Sequence, residues 1–484
     1  MVAKLQWPVT PRHGQAGTAE RLAELVEQGL RVLFSAPTGW GKTHAVIAAL
    51  VGAKALPALW LARSLALGER VAEDAALWKL HAFTAAGRER TCPMAEEMGD
   101  AVHDFCKYFK HKCPYARLPP SPPLAADWQE LAIRGREGGW CPYYAQDTIP
   151  SDIVVQSYYK RSRRLARAVV VDEAHNLLTP EEREYALGRL AEAVAAARER
   201  GASEKLVRGL SSLLRYALIK DGDLDVSLFL QESDLDELRK LYFTALEEGD
   251  RRLKVLVDLA KAAAVYVEGE RVRAYRPPLS LPFRPALFVS ATMPPEAATF
   301  LQAEVEVRVP WASKPKAVIA EDVTTKYEEY SAEMALRYKK LLIEVAKRCK
   351  RVLVFAASER VARDLRAWVQ YEECIPPEGW EGVVLLRARG RFSEGVDLEA
   401  DAVVIAGAPY LPPPVSDKLA RAYRVIGHPD PVRAAIDTPM LVATLQCIGR
   451  AWRTPERTPY VVLADWRYGR YKSALEDYLD FADA

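Results

Sequence analysis

The chain is almost without asparagine: Asn176 is the only one in 484 residues, beside ten glutamines. Depletion of heat-labile amides is a habit of hyperthermophile proteins and carries no functional information. Long apolar runs are missing as well. The longest uncharged stretch, Ala402 to Ser416, holds four prolines and falls short of the about 20 apolar residues that span a bilayer. The first residues, MVAKLQWPVTPRHGQ, lack the apolar centre of a secretory signal. A cytoplasmic protein with no membrane partner is expected. Net charge is close to nil, with 67 Lys and Arg against 65 Asp and Glu. A basic coat is thereby excluded, and any nucleic-acid surface must be a local groove. Paired CxxC knuckles are absent too.

What is present is ordinary for a globular protein: 50% hydrophobic and 27% charged residues. A chain of this length suggests about two to four domains. RVLFSA (31–36) reads as a buried strand, followed by a glycine-rich turn and the helix HAVIAALVGA (44–53). ALWLARS (58–64), DIVVQSYY (152–159), RAVVVDEAH (167–175) and PALFVSATMPP (285–295) continue the strands. After about residue 310 a second alternation follows through RVLVFAAS, GVVLLRA, AVVIAGAPY and YVVLADWR. Strands alternating with helices predict parallel α/β sheets. Two segments break the rhythm. Residues from about 85 to 148 hold four of the seven cysteines, with many prolines and aromatics. Residues from about 180 to 270 are charged and of helical period, which predicts a helical subdomain.

APTGWGKT (Ala36, Pro37, Thr38, Gly39, Trp40, Gly41, Lys42, Thr43) fits a P-loop with alanine at its first position. The glycines let backbone N–H groups close on phosphate, Lys42 reaches the β- and γ-phosphates, and Thr43 ligates Mg²⁺. VVVDEAH ends an apolar strand in two carboxylates. Asp172 is placed to hold Mg²⁺ and Glu173 to activate a water. QCIGRAWR sets Gln446, Arg450 and Arg453 on one helical face, where arginines can stabilise charge on a transferring γ-phosphoryl group. RARGRFSEGVDL (387–398), with Arg391, Gly395 and Asp397, is a basic, glycine-punctuated loop suited to phosphate.

Cys92, Cys106, Cys113 and Cys141 are separated by 13, 6 and 27 residues. Four thiolates suit a [4Fe–4S] cluster or structural zinc. A disulfide pair or plain buried thiols are the blander alternatives. Around them Lys107, Tyr108 and Lys110 interleave cations with aromatics, a pattern suited to single strands; packing around the cysteines also accounts for the rings. KRSRRLAR (160–167) is a second basic run, ordinarily a solvated loop.

In this order, the motifs resemble a superfamily 2 helicase. With the four cysteines between P-loop and DEAH, the chain resembles the XPD (xeroderma pigmentosum group D) family of iron–sulfur helicases in its archaeal form. The resemblance implies two RecA-like P-loop motor domains with an inserted iron–sulfur domain and an inserted helical arch. The expected boundaries are motor domain 1 at 1–84, 149–180 and 276–308, cluster domain at 85–148, arch at 181–275, and motor domain 2 at 309–484. It implies ATP, Mg²⁺ and a [4Fe–4S] cluster on the four cysteines as cofactors, single-stranded and fork or duplex DNA as partners, and 5′→3′ unwinding in repair by a monomer. It assigns adenine to Gln15, and DNA contacts to Arg63 and Ser64 after the second strand and to Arg88 near the cluster; Arg391, read from the basic loop itself, is a further DNA contact expected. The arch is shorter than is common in that family. A DinG-like iron–sulfur helicase and a double-strand translocase are the rival enzymes; a metal-stapled binding module is the rival outside catalysis.

Overall fold

The structure is a computed structural model. It describes residues 7–481 except 13, 38, 64, 124, 126, 161–164, 278, 292, 295, 311–313, 391–397, 426 and 453–457. Eighteen strands occur among the described residues: β1 Arg31–Ser35, β2 Ala58–Ala62, β3 Ala82–Ala85, β4 Ile153–Ser157, β5 Ala168–Asp172, β6 Glu181–Ala186, β7 Gly222–Asp223, β8 Ala264–Glu268 and β9 Arg271–Arg276. They continue as β10 Ala286–Ser290, β11 Val305–Arg308, β12 Lys316–Ile319, β13 Arg351–Ala356, β14 Tyr371–Glu372, β15 Gly382–Arg387, β16 Ala402–Ala406, β17 Tyr460–Ala464 and β18 Asp480–Phe481. β11-β1-β10 lie side by side, as do β5-β2-β4-β3, and a seven-stranded sheet is ordered β14-β15-β13-β16-β17-β12-β18. Strands pair in parallel, for example β2 with β4, where Trp60 lies opposite Val155, and β13 with β16, where Val354 lies opposite Val404. Central strands such as β1, β2 and β16 are buried along their whole length. That is the signature of a sheet covered on both faces, and the α/β expectation holds.

Contacts gather the chain into two units, residues 1–53, 287–420 and 430–484 in one and 54–286 with 421–429 in the other. In the first unit, the seven-stranded sheet shows how alternation builds two cores. Leu353, Phe355, Val403, Ile405 and Leu463 face one side, with Ile448 and Met440 of helix Asp437–Ala451. Val352, Val354, Val404 and Val462 face the other, with Tyr338 and Leu342 of helix Ala332–Arg348.

In the second unit, residues 181–276 depart from the all-helical expectation. EEREYA (181–186) is strand β6, in a four-stranded antiparallel sheet ordered β6-β9-β8-β7. Its glutamates defeat the helical reading because their partners are cross-strand arginines: Arg273 lies 2.7 Å from Glu184 and 3.2 Å from Glu182. Helices Leu187–Glu199, Glu204–Ile219 and Glu232–Glu247 complete the subdomain. It shares one core with the cysteine-bearing segment. Met98, Val102, Phe105 and Phe109 pack with Leu190, Leu210, Leu238 and Val272, and Cys92 and Cys113 lie against the same cluster.

Candidate functional site

The P-loop follows β1 as expected. Gly39 and Gly41 take φ of 77° and 90°, conformations that favour glycine. Gly41 caps helix Lys42–Gly52, whose positive end faces the turn. Lys42 Nζ donates to the carbonyls of Ala36 and Pro37 at 3.2 Å each. Trp40 is buried and meets Phe34 edge-on, so its ring is spent on the core. Gln15 is buried beside the loop. Its Nε2 donates to the carbonyls of Trp40 (2.9 Å) and Gly41 (3.0 Å), while its Oε1 accepts from the Arg12 N–H. Gln15 thereby braces the phosphate loop.

The DEAH segment leaves β5 in a bend. Glu173 adopts φ 48°, ψ 48°, a left-handed conformation that costs a non-glycine residue about 1–2 kcal/mol. Hydrogen bonds hold it there. The Glu173 carbonyl accepts from the Asn176 backbone N–H (3.0 Å), from Asn176 Nδ2 (2.9 Å) and from the Tyr158 hydroxyl (3.2 Å). Tyr158 also donates to the carbonyl of Asp172. Burial first, then the neighbouring Asp172 and Glu173 carboxylates, raise the Tyr158 hydroxyl far above its usual range, so it stays a donor. Trp60 Nε1 lies 3.4 Å from Asp172 Oδ2. The Glu173 carboxylate lies 3.3 Å from His175 Nδ1, and exposed Arg63 donates to Asn176 Oδ1 at 3.2 Å. Sequence reasoning missed Tyr158 and Trp60 as supports. The one signal was that the lone asparagine directly follows the motif.

The four clustered cysteines line one small cavity, partly open to solvent, with Arg88, Lys110, Tyr143 and Tyr144 in its wall. Burial pushes the Cys92 thiol up to about 12, and the other three thiols add to the rise. Burial likewise raises Cys113 and Cys141. Such thiols ionise only when a cation compensates. Among the described residues no group of three or more His, Cys, Asp or Glu side chains is placed to hold a metal ion.

Arg88 is drawn inward: its guanidinium lies 4.1 Å from the Tyr143 ring centroid and 2.9 Å from His103 Nδ1. Lys110 sits 4.3 Å from the Tyr144 ring centroid. Both line the cavity. Tyr108 packs on Phe243 at 4.4 Å, with Lys107 donating to its hydroxyl at 2.8 Å. Lys160, from the basic run, is buried rather than a solvated loop residue.

In the second α/β region, Gln446 and Arg450 lie on helix Asp437–Ala451, both half-buried. Thr38, Ser64, Arg391, Gly395, Asp397 and Arg453 lie outside the described residues. Arg387 and Arg389, at the start of the basic loop, are tied down within the same unit: Arg387 to Glu359 and Glu373, Arg389 to the carbonyls of Pro409 and Pro439.

Residues 329–480 match the family described as Helicase C-terminal domain. No curated protein matches the chain. A solved structure described as XPD_Helicase superposes with a TM-score of 0.60 at 20% identity, covering 98% of this chain and 100% of that one. The structure of S. tokodaii Xpd4 gives 0.61 at 18% identity, with 98% and 100% covered. The chain has the XPD helicase fold. Within this XPD fold, the matched domain runs from helix Ala332–Arg348 to β18 and includes Gln446 and Arg450. No helix among the described residues is long and apolar enough to cross a membrane.

Proposed function

We propose that this chain is an ATP-dependent DNA helicase that moves 5′→3′ on single-stranded DNA and separates forked or duplex DNA, as a cytoplasmic monomer in DNA repair. The observation that carries it is the set of four cysteines lining one cavity in a chain of XPD fold with a helicase C-terminal domain. In this reading Lys42 binds the phosphates of ATP, and Thr43 and Asp172 would hold Mg²⁺. Glu173 accepts the proton of the attacking water, and Gln446, Arg450 and Arg453 stabilise the charge developing on the γ-phosphoryl group. Cys92, Cys106, Cys113 and Cys141 would hold a [4Fe–4S] cluster, which supplies a covalent staple across the segment. Arg63 and Ser64, with Arg391 and the exposed Lys107, contact the strand.

The test pairs two measurements on anaerobically purified protein. Iron, sulfide and zinc are assayed with an absorption spectrum, and ATP hydrolysis is followed with and without single-stranded DNA. About four irons per chain and hydrolysis accelerated by single strands are expected. Zinc without iron removes the cluster. Hydrolysis indifferent to single strands removes the helicase; acceleration by duplex alone supports a double-strand translocase.

A further inference from the structure

β5, β2 and β4 are neighbours in the sheet, and their C-terminal ends carry one hydrogen-bonded chain of side chains. At its outer end is exposed Arg63, just past β2. Its guanidinium donates to Asn176 Oδ1, and Asn176 Nδ2 donates to the main-chain carbonyl of Glu173. The amide of Asn176 is thus oriented at both ends: oxygen toward Arg63, nitrogen toward Glu173. Glu173 is the strained residue of the motif, with φ 48°, and its carbonyl is where the Asn176 and Tyr158 donors meet. Its carboxylate rests at His175. Tyr159, just past the neighbouring β4, is 58% exposed, its ring centroid 6.4 Å from that of Tyr158. An exposed cation and an exposed ring at the ends of neighbouring strands offer a surface on which a phosphate and a base can settle together.

We propose that Asn176 is a positioning residue that couples a nucleic-acid phosphate on Arg63 to the backbone of Glu173. The inference rests on the helicase reading above. A phosphate oxygen is a stronger acceptor for a guanidinium than a neutral amide oxygen. A strand that takes Arg63 releases Asn176 Oδ1, and the amide no longer pins the Glu173 carbonyl from a fixed orientation. The strained turn then re-forms with the carboxylate free to leave His175. Strand occupancy and proton acceptance by Glu173 are linked through two side-chain hydrogen bonds, without a movement of the sheet.

The experiment measures kcat and KM for ATP with and without an oligothymidylate single strand, and the strand's Kd by fluorescence anisotropy. It uses the full chain and its Asn176→Ala, Asn176→Asp, Arg63→Gln and Arg63→Gln/Asn176→Ala variants. Asn176→Asp keeps an acceptor for Arg63 but removes the donor to Glu173; being isosteric, it serves if the alanine variant misfolds. The ratio of stimulated to basal kcat is expected to fall at least about five-fold in Asn176→Ala and Asn176→Asp, the low end of an ordinary coupling between sites. Their ATP KM stays within about two-fold of wild type, as does the strand Kd of Asn176→Ala; the Asn176→Asp carboxylate competes with phosphate for Arg63 and is expected to raise that variant's Kd. The double variant is expected to lose no more of that ratio than Arg63→Gln alone, since both act on one path. A ratio within about two-fold of wild type in a folded Asn176 variant overturns the coupling. So does an additive double variant. If wild type itself is not stimulated by the strand, it is the helicase reading that fails.

Discussion

Lys160 sets its ammonium 3.2 Å from the Asp147 carboxylate, the lysine side chain fully buried and the aspartate nearly so. The lysine heads a run of basic residues, yet it faces inward, 5.0 Å from the Tyr143 ring centroid. It thereby ties the end of β4 to the segment that carries Cys141. Burial lowers the Lys160 pKa, only partly offset by Asp147. Removing one partner of a buried pair leaves the other charge stranded, at a cost of about 3–5 kcal/mol. Lys160→Ala is therefore expected to lower the unfolding midpoint in denaturant while leaving single-strand affinity within about two-fold, which a solvated DNA-contacting lysine would not do.

Asp465 has no solvent-accessible side-chain surface. It accepts from Thr324 Oγ1, the Thr325 and Ala408 N–H groups and the Arg467 guanidinium, the last at 2.7 Å. Burial pushes its carboxyl up, but the Arg467 hydrogen bond and charge outweigh it and hold the group below the usual range. Asp258 behaves alike: burial raises it, and Lys254 and Arg183 bring it lower. A carboxyl depressed in the folded state stabilises the protein above the unfolded pKa, and that stability is lost as pH falls through the folded value. Stability in a denaturant series at several pH values should accordingly be flat above about pH 5 and drop below about pH 4. Asp465→Asn should cost about 3 kcal/mol at neutral pH and make the acid limb shallower.

A methyl group on Gly41 would sit 2.2 Å from Gln15 Nε2, at a φ of +90° that L side chains rarely adopt. Gly41→Ala is expected to weaken ATP binding by at least about ten-fold, on the order of 1.4 kcal/mol. Adding Gln15→Ala removes the clash but not the backbone strain, so recovery should be partial. Fluorescent-nucleotide titration checks both.

Lys42→Ala should reduce kcat for ATP hydrolysis on the order of 10²–10³-fold, as loss of a charge-stabilising donor does. The Lys42 ammonium donates to the Ala36 and Pro37 carbonyls of its own loop, and the melting temperature is expected to hold. Phosphate release and a thermal melt on one preparation decide it.

Cys113→Ser tests the cavity and its neighbourhood together. Loss of iron absorbance near 400 nm is expected, with faster amide exchange in helices Leu187–Glu199 and Glu232–Glu247, because Cys113 packs on the core they share. Unchanged exchange would separate the cysteine site from that core.

Local signals carried well from sequence to structure. β1, the glycine turn and the helix from Lys42 follow the expected pattern, as do β4, β5, β10, β13, β15, β16 and β17. These are short buried apolar runs, whose fate is decided by residues next to one another. What escaped is set by partners far along the chain. The glutamates of β6 look helical until Arg271 and Arg273 face them. Lys160 looks like a surface cation until Asp147 and the Tyr143 ring enclose it. Gln15 matched an adenine-reading position, and only the fold brings Trp40 and Gly41 to its amide.

The common core of the cysteine-bearing segment and the helix-and-sheet subdomain has a consequence for how this chain can be rebuilt. Phe105 and Phe109 on one side and Leu190, Leu238 and Val272 on the other are each buried by the opposite segment's contribution to a single cluster. Neither insert is a detachable cassette. Excising residues 181–275, or grafting residues 85–148 onto another motor, would expose the apolar half of an interior. Such chimeras need the two pieces moved together, or the facing positions repolarised before they are parted.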